Sequence, residues 1–550
     1  MKYCKISPYG LGMVGVIVVS TIIRLILSSQ NYPSTNSDEG TMGLMALHIA
    51  YHGALPIFFY GQNYMGALEA YLGAFFFLIF GPSLFALRLG MILLFALFQC
   101  ALYLLISQLY TKRYALASTA LLCLGSPELF SRQLRAVGGA LETLLFGTLT
   151  LLLATSLILS YQGGQEAASR GRLLCYACLG LVMGLGIWSH MLILPFIAMA
   201  LLFLFVYCRR EWQRRVILCW LAGLLLGLLP LLIYDIQHPL QNALFTLISV
   251  YGGTATSLPY TVWDKIRGTV LVSLPMATGA SPICPLNSTP GVWRTEISSC
   301  MIPQGIWSVG FLLLLGIALW SAWKTSQIQS VLFRRKKIED TLVEQRRVAA
   351  RLMLLGSGLL TLCAFVLSSS SALVPITSSR YLVGLEAVLP AVLWPLWYYA
   401  RPLSRALRSI SLSALGLATI GIVIYTFILG TVISFQQVAG VEQYYQQQQQ
   451  GLVGDLLAMH ATRIYTDYWT CDNIAFLSDE RIICDVLGNN LQAGQNRYTP
   501  YVAQVQQARP VTYVFPVGSE QAKLLAQQMR NTPQKYRRSV VDGYVVYRLV

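Results

Sequence analysis

Apolar runs close to twenty residues long recur from the N-terminus to about residue 434, and no other feature constrains the fold as strongly. Each is about the length that a helix needs to cross roughly 30 Å of hydrocarbon, where a backbone must satisfy its polar groups internally. With 11% of its 550 residues charged and 55% hydrophobic, the chain is too apolar for a water-soluble fold. The first run, 9–27, follows Lys2 and Lys5, carries Arg24 near its outer end and lacks a small-x-small cleavage site. It reads as a retained first span rather than a signal peptide.

Spans near 9–28, 88–110, 114–130, 143–160, 174–190, 191–208, 216–234, 304–322, 352–369, 380–400 and 409–434 give about eleven transmembrane helices. This count puts the N-terminus in the cytoplasm and the C-terminus outside. The formal charge of +16 fits that arrangement, because the basic residues punctuate the apolar runs instead of forming one face or arm, which excludes nucleic acid as a partner. Inner loops hold 21 Lys and Arg, among them Lys112, Arg113, Arg209, Arg210 and Arg346, whereas outer loops and span ends, the C-terminal domain left aside, hold 8. Such a bias is how cytoplasmic loops are recognised.

The first outer loop, 29–87, contains no Lys or Arg. Its apolar segment 66–80 reads as a re-entrant or interfacial helix, since a full crossing there would invert every later loop. The second, 235–303, is rich in Pro, Gly, Ser and Thr, and its cysteines Cys284 and Cys300 can pair or stay free. Cys471 and Cys484 pose the same question. Cys175-x-x-Cys178 opens a membrane helix, where packing is the default role. Beyond 434 the residues are more polar. The run 446–450 of five glutamines reads as a low-complexity hinge, followed by strands at 462–466, 481–486, 511–515 and 544–549 and helices at 499–508 and 519–530.

Asp38 and Glu39 stand about ten residues past the first span, immediately before a helical stretch, 41–52. A carboxylate there caps helix amides, or serves as a general base that activates an acceptor hydroxyl. Glu142, at the outer start of the fourth span, forms an ion pair with Arg132 or Arg135 or acts as a second active acid; Glu69 and Glu386 are further candidates. Arg380, beside Tyr381 and three hydroxyl residues, either snorkels to headgroups or grips a phosphate. Arg88 is an interfacial anchor or a binding residue. His48 and His52, four apart on one helical face, suit a divalent metal with Glu69 as third ligand, and a wet interfacial helix explains them equally. No Walker, G-x-S-x-G, H-E-x-x-H or dinucleotide motif occurs.

Asp38-Glu39, Tyr60-Gly61-Gln62 through Leu68-Glu69, Phe85-Ala86-Leu87-Arg88-Leu89-Gly90, Glu142 and Arg380-Tyr381-Leu382 together resemble the GT-C glycosyltransferases, in particular bacterial glycosyltransferase family 39. Protein O-mannosyltransferases and aminoarabinose transferases belong to the same superfamily. Thr466-Asp467-Tyr468-Trp469 and Arg497-Tyr498-Thr499-Pro500 look like the tail of this bacterial group. Two features depart from the pattern: the first outer loop lacks Lys-Pro-Pro, and the second acid is Glu rather than Asp.

The resemblance implies a polytopic α-helical membrane protein of GT-C-like fold in the plasma membrane. A transmembrane domain, 1–434, would carry the two outer loops, and 435–550 would form a small extracytoplasmic α/β domain. It further implies transfer of a sugar from a polyprenyl-phosphate donor to a lipid, glycan or protein acceptor. Asp38 would be the base, Glu39 and Glu142 would orient substrates, and Arg380 would hold the lipid phosphate; Glu69, Arg88, Arg132, Arg135 and Tyr381 complete the expected binding set. The competing reading is a transporter or flippase of a lipid-linked substrate, which would show broken midplane helices in paired repeats.

Overall fold

The computed structural model describes residues 7–161, 169–239, 260–285, 299–332, 338–400, 410–530 and 536–549. Stretches 240–259 and 286–298 of the second outer loop lie outside these, as do Lys2, Lys5, Arg294 and the basic residues within 334–337 and 401–409. Among the described residues eight helices are long and apolar enough to cross a membrane, or ten when two bent pairs each count as one. The chain is a multi-span membrane protein.

The spans include α1 (Pro8–Ser29), α4 (Leu84–Leu109), α7 (Ala140–Leu159), α8 (Arg170–Ser189), α9 (Leu194–Cys208), α12 (Met301–Leu332), α13 (Ile338–Leu367) and α15 (Ile410–Gln437). The bent pairs are α10 (Arg214–Gly227) with α11 (Leu229–Gln237), at 59°, and 375–382 with α14 (Leu385–Ala400), at 73°. Two expectations change in detail. The expected span 114–130 is two helices, α5 (Lys112–Leu121) and α6 (Pro127–Leu134). Pro127 cannot continue a preceding helix, and the Ser126 hydroxyl caps the new one by accepting from Leu129 N at 3.3 Å. Segment 66–80 becomes α3 (Leu68–Phe80), whose 13 residues reach about 20 Å, too short to span.

The chain divides into two compact units. One comprises Met1–Ile23, Leu94–Gln133 and Gly139–Ser434. Within it α8 and α10 approach through two G-x-x-x-G pairs. A Cβ at Gly180 or Gly184 would strike the carbonyls of Trp220 or Leu224, and one at Gly223 or Gly227 would strike those of Ala177 or Leu181. Small residues on both faces let the backbones meet, which is how helices associate where water supplies no hydrophobic drive. Cys284 pairs with Cys300 as a disulfide in this unit.

The other unit comprises Arg24–Leu93, Leu134–Gly138 and Phe435–Val550, so the first outer loop and the C-terminal portion share one body. Helix α2 (Ser37–His52) packs on α3 and on α17 (Tyr468–Leu477). The contact with α17 runs over Gly40 and Gly43: a Cβ at Gly40 would sit 2.7 Å from the backbone of Asn473, and one at Gly43 2.7 Å from the Phe476 ring.

A five-stranded sheet, order β2-β1-β3-β5-β4, follows from β1 (Arg463–Thr466), β2 (Ile483–Val486), β3 (Thr512–Pro516), β4 (Tyr536–Val541) and β5 (Tyr544–Leu549). The first three are parallel and the last two pair antiparallel. Helices α18 (Pro500–Gln507) and α19 (Glu520–Arg530) connect them. Ile464, Ile474, Val514 and Val546 form the core, and a Cys471–Cys484 disulfide ties α17 to β2. The glutamine run is no hinge: it lies within α16 (Gln443–Ala458), where buried Gln449 donates to Tyr544 OH and accepts from Asn473. Glutamine is a good helix former, and these contacts fix the helix.

Candidate active site

Helix α2 begins where Asn36, in extended conformation, accepts from Glu39 N at 2.9 Å. The asparagine, not Asp38, is therefore the cap, and Asp38 projects from the first turn. Oδ1 of Asp38 accepts from Tyr468 OH at 2.7 Å and from Arg497 Nη2 at 2.9 Å, while Arg497 Nε donates to Tyr468 OH at 2.7 Å. This closed triangle draws its partners from the two tail motifs singled out in the sequence. Arg497 also lies 5.1 Å over the Phe59 ring. Among the described residues Oδ2 of Asp38 accepts no hydrogen bond, and the side chain keeps 18% exposure.

Glu39 has a different environment. It is fully buried against fully buried Arg88, with Nε to Oε1 at 2.9 Å and Nη2 to Oε2 at 2.7 Å. Ala136 N donates to the same carboxylate at 3.2 Å, and Arg88 Nη2 also donates to Pro33 O. A bidentate, enclosed pair of this kind holds structure rather than meeting substrate. Arg135 donates twice to Ser34 O, and Glu69 accepts from Gly138 N at 2.8 Å, so both brace the 134–138 turn.

Asp472, in α17, is buried, and that burial raises its carboxyl to about 6 in spite of the Thr41 hydrogen bond and the Arg497 charge. The geometry agrees. Thr41 Oγ1 lies 2.6 Å from Asp472 Oδ2 and 2.8 Å from Ser37 O. One hydroxyl proton cannot serve both oxygens, whereas a neutral carboxyl donating to Thr41 leaves the hydroxyl free to donate to Ser37.

At the other end of α2, His48 is buried between Tyr60 OH, 2.9 Å from Nδ1, and Glu480 Oε1, 2.8 Å from Nε2. Glu480, not Glu69, is thus the carboxylate beside the histidine pair. Burial pushes Glu480 up, but hydrogen bonds from His48 and Tyr501 outweigh it and hold the group below its ordinary range.

The remaining expected residues belong to the larger unit. Glu142 Oε2 accepts from Gly139 N at 3.1 Å and so caps α7. In α6, Arg132 Nη2 donates to Ser379 Oγ at 2.6 Å and Gln133 donates to Glu386 at 2.6 Å. Glu128, Glu386 and Arg380 all lie near enough to Arg132 to act on its charge. Arg380 is exposed, with its guanidinium 5.3 Å over the Tyr381 ring. Two neighbouring guanidiniums at a site rich in hydroxyls suit a phosphate.

Sequence reasoning missed Tyr468 and Arg497 as partners of Asp38, and Asp472 and Glu480 as buried acids. The two tail motifs were the available signal, but no spacing rule connects residues 430 positions apart.

Residues 66–234 match the family model of dolichyl-phosphate-mannose-protein mannosyltransferase. ArnT from Cupriavidus metallidurans bound to undecaprenyl phosphate shares the fold, with a TM-score of 0.58 and 13% identity over 99% of each chain. Its apo form gives 0.57 and 13%, covering 98% of this chain and 97% of that one. The apo Archaeoglobus fulgidus oligosaccharyltransferase gives 0.53 and 14%, covering 92% of this chain and 69% of that one. No curated protein matches the chain by sequence.

Proposed function

We propose that the chain is a GT-C-type membrane glycosyltransferase that moves a sugar from a polyprenyl phosphate to an acceptor hydroxyl outside the cytoplasm, with Asp38 as general base; the family-model match over 66–234 and the fold shared with ArnT and the archaeal oligosaccharyltransferase support this reading. The observation that carries this reading is the asymmetry of Asp38. Tyr468 and Arg497 hold Oδ1 in place, and Oδ2 remains to take a proton. The acceptor oxygen bonds to the anomeric carbon, the bond from that carbon to the phosphate oxygen breaks, and the acceptor proton passes to Asp38. The lipid phosphate leaves as an anion.

Stabilising that anion requires a cation, and the role falls to Arg380, with Arg132 beside it. Undecaprenyl phosphate in the Cupriavidus metallidurans ArnT supports a donor of this class. Glu39 and Arg88 serve as the internal brace that orients the first turn of α2. The excess of basic residues in the inner loops, 21 against 8, supports an outward active site and an extracytoplasmic 435–550.

Purified protein incubated with radiolabelled polyprenyl-phosphate sugars and lipid, glycan or peptide acceptors tests the reading. Transfer should fall about 100-fold or more in Asp38→Asn, as expected for loss of a general base. Undiminished transfer in that variant would remove Asp38 from the mechanism. Net movement of an intact lipid-linked sugar without transfer would favour the flippase.

A further inference from the structure

We propose that His48, His52 and Glu480 form a zinc-type divalent-metal site that fastens the C-terminal end of α2 to the loop after α17. Their ligand atoms all lie within 4.8 Å of one another. His48 Nε2 is 2.8 Å from Glu480 Oε1, and His52 Nδ1 is 3.9 Å from Glu480 Oε2. Bonds of about 2.0–2.1 Å in tetrahedral geometry set ligand atoms about 3.3 Å apart. The distances run to the two oxygens of one carboxylate, one shorter and one longer than that value, so side-chain rotation is needed to bring all three ligands onto an ion.

The surroundings have the form a metal site uses. The two imidazoles stack at 5.5 Å on one helical face, as residues four apart must. Tyr60 OH engages His48 Nδ1, so that a metal at Nε2 replaces the hydrogen bond Nε2 makes with Glu480, while Tyr501 OH donates to Glu480. Such outer partners fix the tautomer and orientation of ligands. The backbone is specialised too: Asp479 and Glu480 stand at φ 50 and φ 59, a left-handed pair of non-glycine residues. L-residues rarely adopt that conformation, and surrounding structure must hold it. Here it aims Glu480 at the histidines. Side-chain exposure rises from 4% at His48 through 20% at Glu480 to 57% at His52, which leaves an entry path and room for a water as fourth ligand.

The site stands apart from the proposed chemistry. Ten residues separate His48 from Asp38, about 15 Å along the helix axis. A metal at His48 therefore acts as a staple and not as a Lewis acid at the base. Its influence passes through Tyr498, whose ring packs 4.7 Å from His48 and whose neighbour Arg497 grips Asp38.

Full-length protein in detergent, stripped with EDTA and dialysed against micromolar zinc, is analysed for bound metal by mass spectrometry and for melting temperature. Wild type should bind one zinc that His52→Gln and Glu480→Gln bind about 100-fold more weakly, and Tyr60→Phe about 10-fold more weakly. His52 is exposed, so His52→Gln should melt like wild type without zinc and lose only the rise that zinc produces. Asp38→Asn should bind zinc as wild type does, which separates this site from the catalytic proposal. Absence of zinc binding in wild type, or equal binding in His52→Gln, overturns the proposal.

Discussion

Tyr468 and Arg497 both place a hydrogen on the same oxygen of Asp38, and each also touches the other. Removing one hydroxyl in Tyr468→Phe leaves the guanidinium in place, so the carboxylate stays anchored but gains rotational freedom. Transfer should drop about 10-fold at unchanged melting temperature, since a loosely held base loses part of its effective alignment. Equal turnover in a kcat measurement would mean that Arg497 alone positions Asp38. Asp472 makes a separate prediction. Its folded value near 6 lies above the ordinary value of about 3.9, so between these limits the native state holds more protons than the unfolded state. Stability should therefore fall as pH rises from about 4 to about 6, by roughly 2–3 kcal/mol at most from this group. Asp472→Asn keeps a donor for Thr41 and abolishes the titration. Its melting temperature should gain on wild type across that window, and parallel curves would refute the assignment. Asp38 could be picked out in the sequence because acids are rare in an apolar chain. Asp472 could not, because only tertiary burial by α2 makes it unusual.

Two helix contacts depend on missing side chains. In α2 the residue two positions after Asp38 is Gly40, and backbone, not a movable side chain, occupies the space its Cβ would need. Gly40→Ala should cost about 1–3 kcal/mol through overpacking and should reduce transfer as well, since the first turn of α2 must shift. Gly223→Val in α10 should destabilise by a similar amount, as its neighbour across the contact is the Ala177 carbonyl. Gly15→Ala, with nothing within 4 Å of its Cβ, is the control expected to leave the melting temperature unchanged. Elements with a strong period or a long apolar run were legible: α2, α3, four of the five strands and most spans. Strand β4 escaped because Arg537 and Arg538 give this edge strand no alternation, and charged edges are how sheets avoid pairing further. Helix α17 escaped because Thr, Cys, Asp and Asn are weak helix formers; the Asp467 cap and the α2 contact hold it instead.

At the scale of the whole molecule, the smaller unit joins three stretches of chain, 24–93, 134–138 and 435–550. Composition marks a change near residue 434 but gives no sign that the polar tail completes the first outer loop, because this pairing depends on contacts hundreds of residues apart. The span count bears on the same question. Ten crossings would leave both termini on one side of the membrane, whereas the charge bias calls for an odd number with the C-terminus outside. The two requirements meet if α5 and α6, which run through 112–134, cross together as one broken element. Alkaline phosphatase fused after Thr111 should then be inactive in cells, because that point faces the cytoplasm, and fusions after Ala136 and after Leu549 should both be active. Inactivity at Thr111 and Ala136 alike would show that α5 and α6 turn back. Together with an inactive fusion after Leu549, it would move the sheet to the cytoplasmic side and with it the partners of Asp38, leaving a donor on the outer leaflet without a base.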